Sequence, residues 1–153
     1  MAARTLLIAS LVLFGVSLAL PALRFVHQPA VRGYTLLCWG WWGMLTGDFP
    51  WFANPVYFAG LLACRFHKPR LAFIFSGLCI PIGLLTLGVD EWYFNEGSGT
   101  PINGFGLAFP AWLLSFIALF FAAAIQIRNR KSGIASPPPL PVKNEESPVH
   151  DTE

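Results

Sequence analysis

Long stretches of the chain carry no charged residue, and their positions predict its helices. The three longest cover residues 5–23, 71–89 and 97–127 and are 19, 19 and 31 residues long. About 20 apolar residues in a helix cross a hydrocarbon core of about 30 Å. The pattern therefore predicts membrane-spanning helices in these stretches and a fourth before the second of them. The predicted helices cover about residues 5–20, 49–66, 71–88 and 105–127.

Residues 34–46 form a shorter apolar segment, and its length decides how it is interpreted. Its 13 residues would give a helix of about 20 Å, which is too short for the hydrocarbon core. The segment is rich in Trp and Gly, and Trp rings favour the membrane–water interface. We therefore predict an all-α membrane protein with four transmembrane helices and one short interfacial or re-entrant segment. The alternative is a fifth span at 34–46.

The composition favours the same class of protein. Hydrophobic residues make up 55% of the 153 residues and charged residues 12%, and the mean hydropathy is +0.57. Soluble domains carry about 25% charged residues. The net charge is +2, and the basic residues lie beside apolar stretches, which indicates topology rather than nucleic-acid binding. We therefore predict that the chain's surroundings are a lipid bilayer and that it has no nucleic-acid partner.

The charged residues also predict which side of the membrane each connection occupies. Lys and Arg concentrate on the cytoplasmic side, which places the basic turn at 65–70 inside and the acidic loop at 90–103 outside. The first helix is expected to stay uncleaved, although residues 1–22 also have features of a signal peptide. Residues 1–131 form the predicted transmembrane domain. Residues 132–153 hold five prolines and four acids, which predicts a disordered cytoplasmic tail.

The densest set of candidate functional side chains lies in and after the short segment. This candidate interaction or re-entrant set comprises Trp39, Trp41, Trp42, Asp48, Trp51, Asn54 and Pro55. Asp48 is interpreted as a turn residue that caps the next helix, and Asn54-Pro55 as a cap followed by the first helical position. The outer loop adds a second set of candidate contacts: Asp90, Glu91, Trp92 and Glu96. An outer aromatic belt is predicted from Trp51, Phe52, Tyr57, Phe58, Trp92, Tyr93, Phe94 and Trp112.

No pattern in the sequence predicts catalysis. The three histidines, His27, His67 and His150, have no partner at metal-ligand spacing. No charged residue lies at mid-membrane depth, where proton-coupled transporters usually need one. We therefore predict no catalytic residue, no cofactor and no metal site. Three helical serines are predicted to bond back to the backbone or to a neighbouring helix: Ser17, Ser76 and Ser115.

Three short motifs resemble those of small uncharacterised multi-pass bacterial inner-membrane proteins. They are Leu20-Pro21-Ala22 at a helix end, Gly40-Trp41 in the short segment, and Trp51-Phe52-Ala53-Asn54-Pro55 at a turn. The resemblance covers about residues 15–65. It implies a bacterial inner membrane and carries no known activity or functional residue with it.

The missing catalytic set and the aromatic residues on one side favour a function based on binding. We predict a non-enzymatic inner-membrane protein that acts by contact with another membrane or envelope protein, in an accessory, assembly or immunity-type role. Two alternatives stay open. One is a small transporter or channel that uses the broken segment at 47–55, and the other is an interfacial lipid-modifying enzyme that uses Asp48 or Glu91.

Overall fold

The described residues are mostly helical, as predicted, and contain five α-helices. The computed structural model describes residues 2–45, 47–94 and 99–134. The helices are α1 (Ala2–Ala19), α2 (Gly33–Trp39), α3 (Ala53–Arg65), α4 (Pro69–Leu84) and α5 (Ala108–Ile134). Short 3-10 helices cover Gly40–Leu45, Pro50–Phe52 and Leu85–Gly88. Three helical stretches are long and apolar enough to cross a membrane: Ala2–Ala19, Pro69–Gly88 and Ala108–Lys131.

The four longer helices pack side by side in alternating directions. α5 packs against α1 and α4, and α3 packs against α4. The turn between α3 and α4 is tight: the Lys68 N–H donates to the Ala63 oxygen (2.8 Å) and the His67 N–H to the Cys64 oxygen (3.2 Å), with φ of His67 at 55°. This is a Schellman arrangement, which satisfies the last carbonyls of a helix. Pro69 then occupies the first turn of α4, where its missing N–H has no cost.

The two ends of the helix set differ in composition. The end that holds the α3–α4 turn and residues 128–131 carries most of the Lys and Arg, and we call it the basic end. The opposite end holds residues 20–52 and 85–107, and we call it the aromatic end. Both long connections of the chain lie at the aromatic end, because α1 and α4 end there and α3 and α5 begin there.

Small residues dominate the helix interfaces, whereas large apolar residues face outward. The small buried residues include Ala53, Ala63, Ala72, Cys79, Ala122 and Ala123. The exposed large residues include Ile8, Leu11, Val12, Ile74, Leu78 and Phe121. Small side chains let helix backbones approach closely, which is how helices associate inside a bilayer. The arrangement therefore agrees with the predicted membrane class.

The buried serines confirm the predicted back-bonding. Ser17 Oγ donates to the Phe14 oxygen (2.6 Å), Ser76 Oγ to the Ala72 oxygen (2.7 Å), and Ser115 Oγ to the Trp112 oxygen (2.6 Å). Each acceptor lies three or four residues earlier in the same helix. Each of these hydroxyls therefore makes its hydrogen bond within its own helix, and the small side chains occupy little space at the helix contacts.

Tyr57 lies at the centre of the core, so its predicted place in the aromatic belt is wrong. Its side chain is fully buried and stacks on Phe14, with ring centroids 4.8 Å apart. Ser10 Oγ donates to the Ser115 oxygen (2.8 Å) and lies 2.8 Å from Tyr57 Oη. Because a hydroxyl has one proton, Tyr57 is the donor to Ser10. This chain of bonds joins α1, α3 and α5.

The aromatic end holds two small antiparallel sheets, which the all-α prediction missed. β1 (Pro21–Arg24) pairs with β2 (Val31–Arg32) on one side and β5 (Gly104–Phe105) on the other. β3 (Glu91–Trp92) pairs with β4 (Thr100–Pro101). Backbone groups outside helices need hydrogen-bond partners, and these loops supply them to each other. The β1–β5 pair also holds the end of α1 beside the start of α5.

The short segment lies at the aromatic end and does not run the length of the helices. At its start, the Gly33 N–H donates to the Leu20 oxygen just after α1 (3.0 Å). Farther along, Trp51 Nε1 donates to the Leu37 oxygen of α2 (2.8 Å). The segment therefore starts beside the end of α1 and leads to the start of α3, and both of these lie at the aromatic end. The predicted range 34–46 is observed as α2 and the 3-10 helix Gly40–Leu45, and Thr46 lies outside the described residues.

Several predicted boundaries change. α3 begins at Ala53 with Phe52 as its N-cap residue and no side-chain cap, so the interpretation of Asn54-Pro55 as cap and first position is wrong. Phe49, and not Asp48, is the N-cap residue of the preceding 3-10 turn. α5 begins at Ala108 instead of 105, because Phe105 belongs to β5. α5 continues to Ile134, three residues into the predicted tail, and the rest of that tail lies outside the described residues.

Candidate functional site

A cavity of about 790 Å³ lies at the aromatic end. Its walls come from the end of α1, from α2 with its 3-10 continuation, from the start of α3, from β3 and from the start of α5. Five of the chain's six tryptophans line it: Trp39, Trp42, Trp51, Trp92 and Trp112. Pockets for small molecules are typically about 300–1,000 Å³ in volume and mostly apolar, with a few polar groups. The volume and lining of this cavity match that description.

Asn54 joins the walls of the cavity through its side-chain amide. Its Nδ2 donates to the Trp51 oxygen (3.0 Å), and its Oδ1 accepts a hydrogen bond from Trp112 Nε1 (2.9 Å). Trp51 in turn donates to the Leu37 oxygen. The side chain of Asn54 is buried, so both bonds are shielded from solvent and strengthened. A continuous set of hydrogen bonds therefore runs from α5 through α3 to α2 and fixes two of the tryptophan rings.

The cavity is closed toward the middle of the helices. Below Trp112, the ring of Phe116 lies 4.6 Å away and is fully buried. Phe116 contacts Tyr57 at 5.3 Å, and Tyr57 stacks on Phe14. Such close-packed rings leave no space for water. Within the described part of the chain, these packed rings form a floor beneath Trp112.

Two carboxylates and a phenol lie at the edge of the cavity. Asp48 and Glu91 both line it, and Tyr93 Oη donates to Glu91 Oε2 at 3.4 Å. The Asp48 N–H donates to the Gly43 oxygen (2.7 Å), which holds the loop before α3 against the 3-10 helix. The pKa of the Tyr93 phenol is raised above its ordinary value, first by partial loss of solvent and then by the negative charges of Glu91 and Asp48. The carboxylates of Asp48 and Glu91 therefore both lie close enough to Tyr93, at the rim of the cavity, to affect its pKa.

Thr86 places a buried hydroxyl at the wall of the cavity. Its Oγ1 is buried, lines the cavity and has no hydrogen-bond partner among the described residues. Most buried polar atoms in proteins do have a partner, and an exception calls for an explanation. The atom has almost no accessible surface, so a molecule in the cavity would reach it only after a movement of the wall.

The structure brings together residues from both predicted sets. Those that line the cavity are Trp39, Trp42, Asp48, Trp51, Asn54, Glu91 and Trp92. Trp41, Pro55 and Asp90 do not line it, and Glu96 lies outside the described residues. The two sets are separated in sequence by the whole α3–α4 hairpin. They meet because the chain runs from the aromatic end to the basic end along α3 and returns to the aromatic end along α4.

Sequence reasoning missed Trp112 and Thr86 as cavity residues. Trp112 was expected in the aromatic belt, but its ring points between the helices. The signal for this was Gly83 of α4: a side chain there would meet the rings of Trp112 and Phe116, with its first carbon 3.2 Å from each. A glycine opposite an aromatic residue on the next helix thus marks where that ring is accommodated.

The described residues contain no group of three or more His, Cys, Asp and Glu side chains that could hold a metal ion. The polar groups of the cavity are instead suited to non-covalent binding, since they comprise an amide, a hydroxyl, indole N–H groups and two carboxylates. Comparison of the chain with protein-family models, with curated proteins and with solved structures finds no match. The functional argument therefore depends on the geometry of the cavity.

Proposed function

We propose that this chain is a non-enzymatic, multi-pass inner-membrane protein that binds a small apolar or amphipathic ligand in the cavity at its aromatic end. The observation that carries the proposal is the cavity itself. It gathers tryptophans from both connections of the chain around a few polar groups, among them the carboxylates of Asp48 and Glu91. Ligand sites in proteins have this combination of apolar walls and sparse polar groups.

Four crossings of the membrane are part of the proposal. Three helices have the necessary length and hydropathy. α3 has 13 residues and follows directly from the three-residue 3-10 helix Pro50–Phe52. At rises of about 1.5 and 2.0 Å per residue, the two together span about 26 Å, which approaches the thickness of the hydrocarbon core. The basic end would be cytoplasmic, since Lys and Arg concentrate there.

The proposed topology predicts which side labels a single cysteine. In a variant without Cys38, Cys64 and Cys79, a cysteine at Ala30 or Thr46 should react with a membrane-impermeant maleimide from outside the cell. A cysteine at His67 should react only after the membrane is permeabilised. The measurement is labelling of intact cells against permeabilised cells. Labelling of Ala30→Cys only from the cytoplasm would make the short segment a fifth span and would overturn the four-span topology.

Ligand binding predicts that filling the cavity abolishes the uptake of an apolar probe. A dodecyl alcohol brominated on its chain should quench the tryptophan emission of the protein in maltoside micelles, and the quenching should saturate. Thr86→Phe should weaken this binding at least about tenfold, because the ring occupies the cavity and no hydrogen bond of the protein is lost. Titration of tryptophan emission with the probe measures both effects.

A matched variant separates cavity filling from general effects of the substitution. Thr100→Phe makes the same change in β4, at a half-buried residue that does not line the cavity, and it should bind the probe like the natural protein. Quenching that rises linearly without saturation, or equally in all three proteins, would indicate simple partition of the probe into the micelle. That result would contradict the proposed function.

Contact with another membrane or envelope protein is a second candidate function. Its support is the outward surface of the 3-10 helix Gly40–Leu45, where Trp41 and Met44 are exposed and do not line the cavity. Exposed apolar patches on a protein are typical of interaction surfaces. A protein that co-purifies in a fixed ratio with the natural chain and with Thr86→Phe, but not with Trp41→Ala, would favour this function. The closed floor makes a solute path through the cavity less well supported than either.

A further inference from the structure

The charges around the cavity have one sign. The described residues that line it include the carboxylates of Asp48 and Glu91 but no Lys, Arg or His. Arg24 and Arg32 also lie at the aromatic end, but their side chains are exposed on β1 and β2, away from the cavity lining. Two helix N-termini and two C-termini meet at this end, so their dipoles largely offset one another. The rim is therefore negative.

The walls behind these carboxylates are suited to a cation. Indole rings attract an ammonium group to their faces, and Trp is the strongest of the aromatic residues in this respect. Asp48 contacts the 3-10 helix that carries Trp42, since its N–H donates to the Gly43 oxygen (2.7 Å), and Glu91 and Trp92 both line the cavity. Carboxylates at an aromatic-lined opening are the arrangement by which proteins bind organic ammonium groups.

The same residues disfavour a phosphate-bearing ligand. A phosphate binds to Arg, Lys or clustered backbone N–H groups, and no basic side chain lines the cavity among the described residues. A zwitterionic phospholipid would place its phosphate beside Asp48 and Glu91 without a cation to balance it. Charge complementarity therefore distinguishes an amine with an apolar body from a membrane phospholipid.

We propose that the ligand is an amphipathic organic cation without a phosphate. Its ammonium group lies at the rim near Asp48 and Glu91, and its apolar body occupies the tryptophan-lined interior. This inference rests on the proposed function, because it names the chemical class of the ligand that the same cavity binds.

The test compares three probes with the same brominated dodecyl chain and different head groups. The head groups are trimethylammonium, phosphocholine and an uncharged hydroxyl, and binding is measured by saturable tryptophan quenching in uncharged maltoside micelles. The trimethylammonium probe should bind about tenfold more tightly than the hydroxyl probe, since two carboxylates and the indole faces act only on the cation. The phosphocholine probe should show no such advantage.

Variants assign the preference to the two carboxylates. The double variant Asp48→Asn/Glu91→Gln should lose the preference, so that the two probes bind within about twofold of each other. Asp90→Asn removes a neighbouring, exposed carboxylate that does not line the cavity, and it should keep the full preference. Unchanged binding of the hydroxyl probe shows that the double variant still has its cavity; if that binding is lost, the single variants are compared in the same way.

Each outcome bears on one of the two proposals. If the hydroxyl and trimethylammonium probes bind equally to the natural chain, the proposal that the ligand is a cation is overturned. The proposal that the cavity binds an apolar ligand is then retained. Tightest binding of the phosphocholine probe overturns the cation in favour of a lipid head group. If no probe shows saturable binding, both proposals fail. If the preference persists in the double variant, the carboxylates do not provide it, and the inference is overturned.

Discussion

Replacing Tyr57 with alanine is expected to lower the free energy of unfolding by about 3–5 kcal/mol, in the range for truncation of a buried aromatic side chain. Tyr57 is fully buried and contacts Phe14 and Phe116, so its removal leaves a void between α1, α3 and α5. Within a bilayer, close packing contributes much of the affinity between helices, so the loss of these ring contacts should weaken the association of α1, α3 and α5. Unfolding by sodium dodecyl sulfate titration in mixed micelles, followed by tryptophan emission, measures the change.

Tyr57→Phe separates the hydrogen bond from the packing. The ring and its contacts stay, and only the bond to Ser10 Oγ at 2.8 Å is lost. Ser10 still donates to the Ser115 oxygen, so no donor is left without an acceptor. The expected loss is about 0.6–1 kcal/mol. Equal losses in the two variants would mean that the hydroxyl, and not the packed ring, gives Tyr57 its stabilising effect.

Replacing Gly33 with alanine should destabilise the protein by about 3 kcal/mol, at the upper end for an overpacked site. A Cβ at Gly33 would overlap the backbone carbonyl oxygen of Ser17 and lie 3.0 Å from Leu18 Cα. Neither is the end of a flexible side chain, so α2 would have to move away from α1. Because α2 forms one wall of the cavity, we also expect weaker binding of the apolar probe.

Gly15→Ala is the matched control, because it makes the same change in α1, the helix that Gly33 contacts. Within the described part of the chain, nothing lies within 4 Å of a Cβ built at Gly15. Alanine in the interior of a helix is more stable than glycine by about 0.5–1 kcal/mol, so this variant should unfold at a slightly higher detergent concentration. A Gly33→Ala protein that unfolds together with Gly15→Ala would contradict the close contact between α1 and α2.

The helices could be predicted because uncharged length is a property of the sequence alone. The boundaries of α1, α4 and α5 differ from the prediction by one to four residues, except the end of α5, which lies seven residues later. The sheets were missed because β1, β2 and β5 have two to four residues each, too few to show an alternating pattern. Their pairing depends on α1 and α5 lying side by side, which the sequence does not express.

The site was predictable in its location and not in its form. Charge placement put residues 39–55 and the acidic loop on the same side, and the structure brings members of both sets to one cavity. The sequence does not show in which direction each side chain points. Trp41 and Trp42 are neighbours, yet only Trp42 lines the cavity. Asn54 shows the same limit. An Asn before a Pro favours a helix cap locally, but the indole of Trp112, fifty-eight residues away, provides its actual partner.

The closed packing of Phe14, Tyr57 and Phe116 has a thermodynamic consequence for any molecule that enters from the aromatic end. Its occupancy follows its chemical potential at that end. Binding there opens no path along the helix axes, so occupation of the cavity neither dissipates a gradient between the two ends of the helix set nor draws on one.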